Sequence, residues 1–200
     1  MLRGRDIKKY SYDFADLWLI TSHNGIKEKG IKPVNINNYP AIKAHLDQFY
    51  PQLEKRTDKG DTPYNLRNCA YMDDFFRPKV MWKIIGSNIN FCYDEHSHMC
   101  NNAVNIMIGS ETQLLNFMGL MNSKLYDWYL KLTTTAEVQG GGVQLYSTVL
   151  ENIPINLNLP FEINEVIKSR LNNIELDNYL NTTLYKYFEL NSEEIEFIEN

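Results

Sequence analysis

Apolar and polar positions alternate with different periods along the chain, and the period assigns most of the elements. Leu17-Trp18-Leu19-Ile20 is a compact apolar run closed by Ser22, Asn24 and Gly25, the pattern of a buried strand over 17–20. Pro40 stands where a helix opens. Ile42, Leu46, Phe49 and Leu53 then recur at helical spacing, with Pro51 set to kink or break the stripe. Residues 57–65 are polar, carry Gly60 and Pro63, and read as a loop. Two apolar runs, 80–85 and 89–93, flank Gly86-Ser87-Asn88 and predict a β-hairpin, and 103–108 alternates as a third strand. At Glu111 the period changes to 3.6. Leu114, Leu115, Met118, Met121, Leu125, Trp128 and Leu132 fall on one side of a predicted helix over 111–132, so Trp128 with Tyr126 and Tyr129 reads as core.

Gln139-Gly140-Gly141-Gly142 is a break where the backbone turns sharply or approaches a ligand. A short element follows over 143–155. From Pro160 the pattern is helical and acidic, with Asn191 and Glu194 spaced as a capping box for the last helix. The expected fold is α+β: a mixed sheet whose hairpin around 80–93 is packed by helix 111–132, with a helical C-terminal segment. A core over 1–159 and an acidic helical segment over 160–200 are expected to form one domain, a size that suits 200 residues.

A hydrophobic content of 44% fits a folded globular chain. The apolar runs are far shorter than the ~20 residues that span a bilayer, so no membrane partner is expected. Met1-Leu2-Arg3-Gly4-Arg5 has no apolar leader, and Cys69, Cys92 and Cys100 are too few for a disulfide framework, so a cytoplasmic protein is expected.

Charge changes the picture more. Residues 1–90 hold 15 Lys/Arg against 10 Asp/Glu, and residues 91–200 hold 5 against 15, so the net −5 is a +5 half joined to a −10 half. Such asymmetry points to a polyanion on one side. The basic half concentrates cations, amides and an aromatic between Lys55 and Arg67, with Arg77, Lys79 and Lys83 downstream. Arg and Lys neutralise phosphates, and Arg and Asn also pair with base edges. Asp58, Asp61, Asp73 and Asp74 dilute this patch, and on charge alone a solvated surface is the better reading.

Other constellations lead away from chemistry. Cys92, His96, His98 and Cys100 would share one face of an extended strand, but their spacing does not match structural zinc sites and a polar hairpin tip gives the same pattern; no metal is assigned. The glycine run has neither P-loop nor G-x-G-x-x-G context. Asp73-Asp74 and Glu193-Glu194 are adjacent rather than spaced for acid–base work, and no Ser/His/Asp arrangement is present. The chain by itself is expected to be non-catalytic.

Six segments in order nevertheless carry a resemblance: Leu2-Arg3-Gly4-Arg5-Asp6-Ile7-Lys8-Lys9-Tyr10; Tyr39-Pro40 to Leu46; Leu53 to Arg67; Phe76-Arg77-Pro78-Lys79-Val80-Met81-Trp82; Leu120-Met121-Asn122-Ser123-Lys124-Leu125; and Asn152-Ile153-Pro154-Ile155. The closing residues 184–196 extend it. This order resembles the TaqI-like C-terminal specificity domain of adenine-specific DNA methyltransferases and fused type II restriction–modification enzymes. The resemblance implies a target-recognition part of a longer protein, facing double-stranded DNA. It also implies an N-terminal methyltransferase domain that binds S-adenosylmethionine and carries an Asn-Pro-Pro-Tyr/Phe motif for the flipped adenine. This sequence has no such tetrapeptide, so no cofactor is expected in the chain itself. The resemblance turns the basic loop into the expected interface, formed by Arg56, Lys59, Tyr64, Asn65, Arg67, Arg77, Lys79 and Lys83. The rival expectation is a protein-interaction module that docks a partner through its acidic helices over 160–200.

Overall fold

A computed structural model describes residues 1–134 and 142–200. The chain separates into two units, Trp18–Asp73 and the remainder, Met1–Leu17 with Asp74–Asn200.

The smaller unit holds two short helices, α1 (Pro40–Asp47) and α2 (Tyr50–Lys55), each with a proline in its first turn. Pro51 therefore opens a second helix, where its missing N–H costs nothing, instead of kinking a single one. The expected strand at 17–20 does not form. Trp18 is 82% exposed, and Leu19 and Ile20 line an open groove of about 450 Å³ with Val34, Ile36, Tyr39 and Ile42. Compact apolar runs specify burial only where a partner strand exists, and these residues are not paired in a sheet. The unit fully buries only two apolar side chains, Ile26 and Ile36, beside Ser22 and Asn65.

The larger unit is built on an antiparallel sheet, not a mixed one. Strands β1 (Lys79–Lys83), β3 (Phe91–Asp94) and β4 (Val104–Ile108) stand in the order β3-β1-β4. The strands expected at 80–85, 89–93 and 103–108 are these. A two-residue strand β2 (Ile85–Gly86) turns away to pair with β5 (Val143–Gln144).

Central strand β1 is covered on both faces. Val80 and Trp82 meet helix α3 (Glu111–Met121) through Leu114, Phe117 and Met118, with the Trp82, Phe91 and Phe117 rings within 5.5–6.1 Å of one another. On the other face Met81, Cys92 and Val104 are sealed by Leu2 and Ile7 of the N-terminal segment. Burial on both faces is why the run from Val80 to Trp82 is continuously apolar.

The helix expected over 111–132 is two: α3, then α4 (Lys124–Thr133). Asn122 and Ser123 separate them. The Asn122 amide accepts from the Phe91 N–H at 3.1 Å and donates to its carbonyl at 2.8 Å, mimicking a further strand against β3. Ser123, in extended conformation, caps α4. The short helix α5 (Ser147–Leu150) leads to α6 (Phe161–Asn172), α7 (Asp177–Tyr187) and α8 (Ser192–Glu199). Ile163, Ile167, Leu180 and Leu184 of α6 and α7 belong to the same core as α3, so the apolar stripes of these acidic helices are already occupied. The expected capping box opens α8: Asn191 accepts from the Glu193 and Glu194 N–H groups and Glu194 accepts from the Asn191 N–H. Gly140 and Gly141 of the glycine run lie outside the described residues.

Candidate nucleic-acid interface

The basic loop is a braced hairpin. Lys59 and Leu66 pair as an antiparallel bridge, the Gly60 N–H donates to the Asn65 carbonyl at 3.0 Å, and the Asn65 N–H donates to Thr62 at 3.0 Å. Ser22 holds it from outside, donating its hydroxyl to the Tyr64 carbonyl at 2.6 Å and accepting the Leu66 N–H at 2.8 Å. Asn24 accepts the Asp61 N–H at 2.7 Å and donates to the Asp61 carboxylate and the Asn68 amide. A side chain at Gly60 would collide with the Asn24 amide and stand 2.7 Å from the Leu66 carbonyl, so this close approach requires glycine.

Three of the expected contact residues turn out to be braces. Asn65 is 1% exposed; its Nδ2 donates to the carbonyls of Val34 (3.0 Å) and His23 (3.3 Å), and its Oδ1 accepts from Thr62. A buried amide with its donors committed has nothing left to offer a base edge. Half-buried Arg56 donates to the carbonyls of Pro63 (3.2 Å) and Asn65 (2.9 Å). Tyr64 gives its hydroxyl to Asp47 at 2.5 Å and lies under the Lys43 ammonium, 5.3 Å from the ring centre. Lys43 first, and Tyr64 second, hold the Asp47 carboxyl below its ordinary range. What the braced hairpin presents outward is Lys59, whose ammonium rests on the Glu54 carbonyl, and Arg67. Among the described residues the Arg67 guanidinium has no hydrogen-bond or ion-pair partner.

The other expected cations belong to the larger unit. Arg77 is exposed, 3.6 Å from Asp74, a surface pair worth little energetically. Lys79 is fully buried. Directly opposite Asp94 in the β1–β3 register, it donates to that carboxylate at 2.5 Å and to the Phe75 carbonyl at 2.8 Å. Lys79 therefore serves the interior and is not an interface residue. Asp94 also accepts from the Tyr12 hydroxyl (3.3 Å), His98 Nδ1 (2.8 Å) and the His96 and His98 N–H groups. Burial pushes its carboxyl up, but the bonds from Lys79 and His98 outweigh that and leave it below its ordinary range.

The same arrangement disposes of the one-face alignment of Cys92, His96, His98 and Cys100. The strand ends at Asp94 and the backbone folds round that carboxylate, with Ser97 at φ 59°. Cys92 is sealed in the core, its thiol pushed up to about 12 by burial. Among the described residues no three His, Cys, Asp or Glu side chains converge as a metal site. Nor is any described helix long and apolar enough to cross a membrane.

Lys83 is half-buried near the N-terminal segment, and Arg3 and Arg5 stand beside it on one cavity wall. Ser22 and Asn24 carry no charge, so a search for charge clusters passes over them, and only their tertiary hydrogen bonds give them roles. Arg3 and Arg5 belong to a basic N-terminal run with Lys8 and Lys9 that is not among the expected contact residues. Lys59, Arg67, Arg77 and Lys83 remain as accessible cations, divided between the two units.

Compared with known proteins, residues 1–155 match the model of a family described as the TaqI-like C-terminal specificity domain. No curated protein matches the chain.

Proposed function

We propose that this chain, which belongs to the TaqI-like C-terminal specificity domain family, is the target-recognition part of a larger adenine-N6 DNA methyltransferase in a restriction–modification system. Family membership carries DNA target recognition and a place in a larger protein; the methyltransferase partner, its S-adenosylmethionine and a cytoplasmic setting are this proposal's own additions. In the physical scheme, a methyltransferase that extrudes its adenine loses a few kcal/mol of stacking and needs a grip on the flanking duplex. Phosphate contacts fix register and base-edge contacts choose sequence.

The observation that supports the reading best is the division of labour in the 59–67 hairpin. Amides and Arg56 brace it from inside, while Lys59 and Arg67 stand in solvent on a scaffold that does not depend on them. Surface cations on a rigid loop meet phosphates without the cost of ordering the backbone, which leaves about 0.5–1.5 kcal/mol for each side chain immobilised. Duplex binding by the purified chain, followed by fluorescence anisotropy across a salt series, tests it. Lys59→Ala and Arg67→Ala each lower the slope of log K against log[salt] by about one if they contact phosphate, and an Arg that reads a base costs about 1–3 kcal/mol on one sequence only. Salt-insensitive binding, or no duplex binding at 50 mM salt, refutes the reading.

A further inference from the structure

The face of β1 that the N-terminal segment covers carries Lys79, Met81 and Lys83 at alternate positions. Its two ends are chemically opposite. At one end Lys79 faces Asp94. At the other, the residue across from Lys83 on β4 is Val104, and β3 ends its pairing at Trp82. Half-buried Lys83 thus has no carboxylate opposite it, and among the described residues no ion-pair partner at all. Burial first, then the neighbouring Lys8, makes its ammonium easier to deprotonate than usual. A cation left in that state is stabilised by any anion that arrives.

The space beside it is a concave cavity of about 700 Å³, walled by Arg3, Arg5, Lys83, Asn101, Asn102 and Tyr146, among others. Among the described residues no carboxylate lines it. Asp6, the nearest acid in sequence, is 5% exposed and grips Arg3 through both oxygens, at 2.8 and 2.9 Å, while also accepting the Arg3 N–H. That pair is neutral. Arg5 is exposed and, among the described residues, unpaired, so the cavity keeps two uncompensated positive charges, on Arg5 and Lys83. Close backbone packing brings both to the cavity. A side chain at Gly86 would stand 2.5 Å from the Lys83 Nζ, so glycine there lets the ammonium lie along the backbone. Gly4 sits close against Lys83 and Ala103, which carries Arg5 to the rim. The Tyr146 hydroxyl accepts from Gln144 and retains its own proton to donate.

We propose that this cavity is a phosphate-binding site in which Arg5 and Lys83 hold a phosphate group of the DNA backbone. It rests on the DNA-recognition reading above, and adds to it a contact on the sheet side of the larger unit. Arg5 presents planar paired donors and Lys83 a point charge, the complementary pair for one phosphate.

The test compares the chain with Arg5→Ala, Arg5→Lys and Lys83→Ala, titrating mixed-sequence duplex between 50 and 200 mM salt, with inorganic pyrophosphate in a parallel calorimetric arm. One lost phosphate contact shrinks the drop in affinity over that fourfold salt range by about 3.5-fold. Arg5→Ala shows this change and Arg5→Lys restores most of it; exposed Arg5 carries the test if Lys83→Ala fails to fold. Duplex binding whose salt dependence is the same in Arg5→Ala as in the parent chain overturns the site and leaves the DNA reading intact. If the parent chain binds no duplex but binds pyrophosphate through Arg5, the DNA reading falls and the phosphate site survives with a free anion as its source. Binding of neither overturns both.

Discussion

Lys79→Met separates a structural lysine from an interface lysine in one substitution. Methionine keeps most of the length and apolar contact of the side chain but removes the charge, leaving Asp94 ionised and fully buried without its main partner. Removing one member of a buried ion pair costs about 3–5 kcal/mol, because the survivor retains its desolvation penalty. Asp94 keeps the Tyr12 hydroxyl, His98 Nδ1 and two backbone N–H donors, which places the expectation near the lower end, about 3 kcal/mol. At about 2–4 °C per kcal/mol for a chain of this size, that lowers Tm by about 6–12 °C. Urea unfolding followed by tryptophan fluorescence is a suitable assay, since buried Trp82 lies on the same strand. The double variant Lys79→Met/Asp94→Asn removes both charges and recovers at least half of the loss, because an amide in the Asp94 position still accepts from Tyr12 and the backbone. A single variant within 1 kcal/mol of the parent, or a double variant no better than the single, refutes the assignment of Lys79 to the interior pair.

Two further outcomes follow from the same bonds. Asn65→Ala leaves the Val34 carbonyl without its donor, at about 1–3 kcal/mol, while the His23 carbonyl keeps the Val34 N–H; amide exchange should quicken at Gly60 and Leu66 and stay unchanged on β1, and uniform quickening would contradict a local brace. Acid stability tracks Asp94, whose folded pKa lies below its unfolded value of roughly 3.9. Its contribution is complete above about pH 5 and is lost as pH falls through the unfolded and then the folded value, so Asp94→Asn flattens the acid limb of a urea-midpoint profile, and an unchanged limb would remove Asp94 from the account.

The sheet was legible because burial leaves its period in the residues. The run at 80–82 is apolar throughout since β1 is covered on both faces, and Asn191-x-x-Glu194 announces a helix start with local bonds alone. Where the pattern misled, the deciding partner lay elsewhere. The apolar stripe runs unbroken from Leu114 to Leu132, yet Asn122 is claimed by the backbone of Phe91 and the helix divides there. Leu17 to Ile20 has the composition of a strand and no strand beside it. At the candidate interface the cations were visible as letters but their environments were not. Lys59, Lys79 and Lys83 are one residue type, and they end respectively on a surface carbonyl, inside an ion pair and beside an uncompensated cavity, because register alone puts Asp94 opposite one and Val104 opposite another.

The brace beneath the 59–67 hairpin separates what holds the loop from what the loop shows to solvent. Asn65, Arg56 and Ser22 grip backbone carbonyls, and a carbonyl is the same group whatever side chain its residue bears. The scaffold is therefore blind to the identity of the outward positions 58, 59 and 67. Substitutions there alter what the surface touches and leave folding nearly untouched, whereas Gly60, Asn24 and Asn65 tolerate almost none. A loop fastened in this way can exchange its outward side chains by single steps without losing its fold on the way.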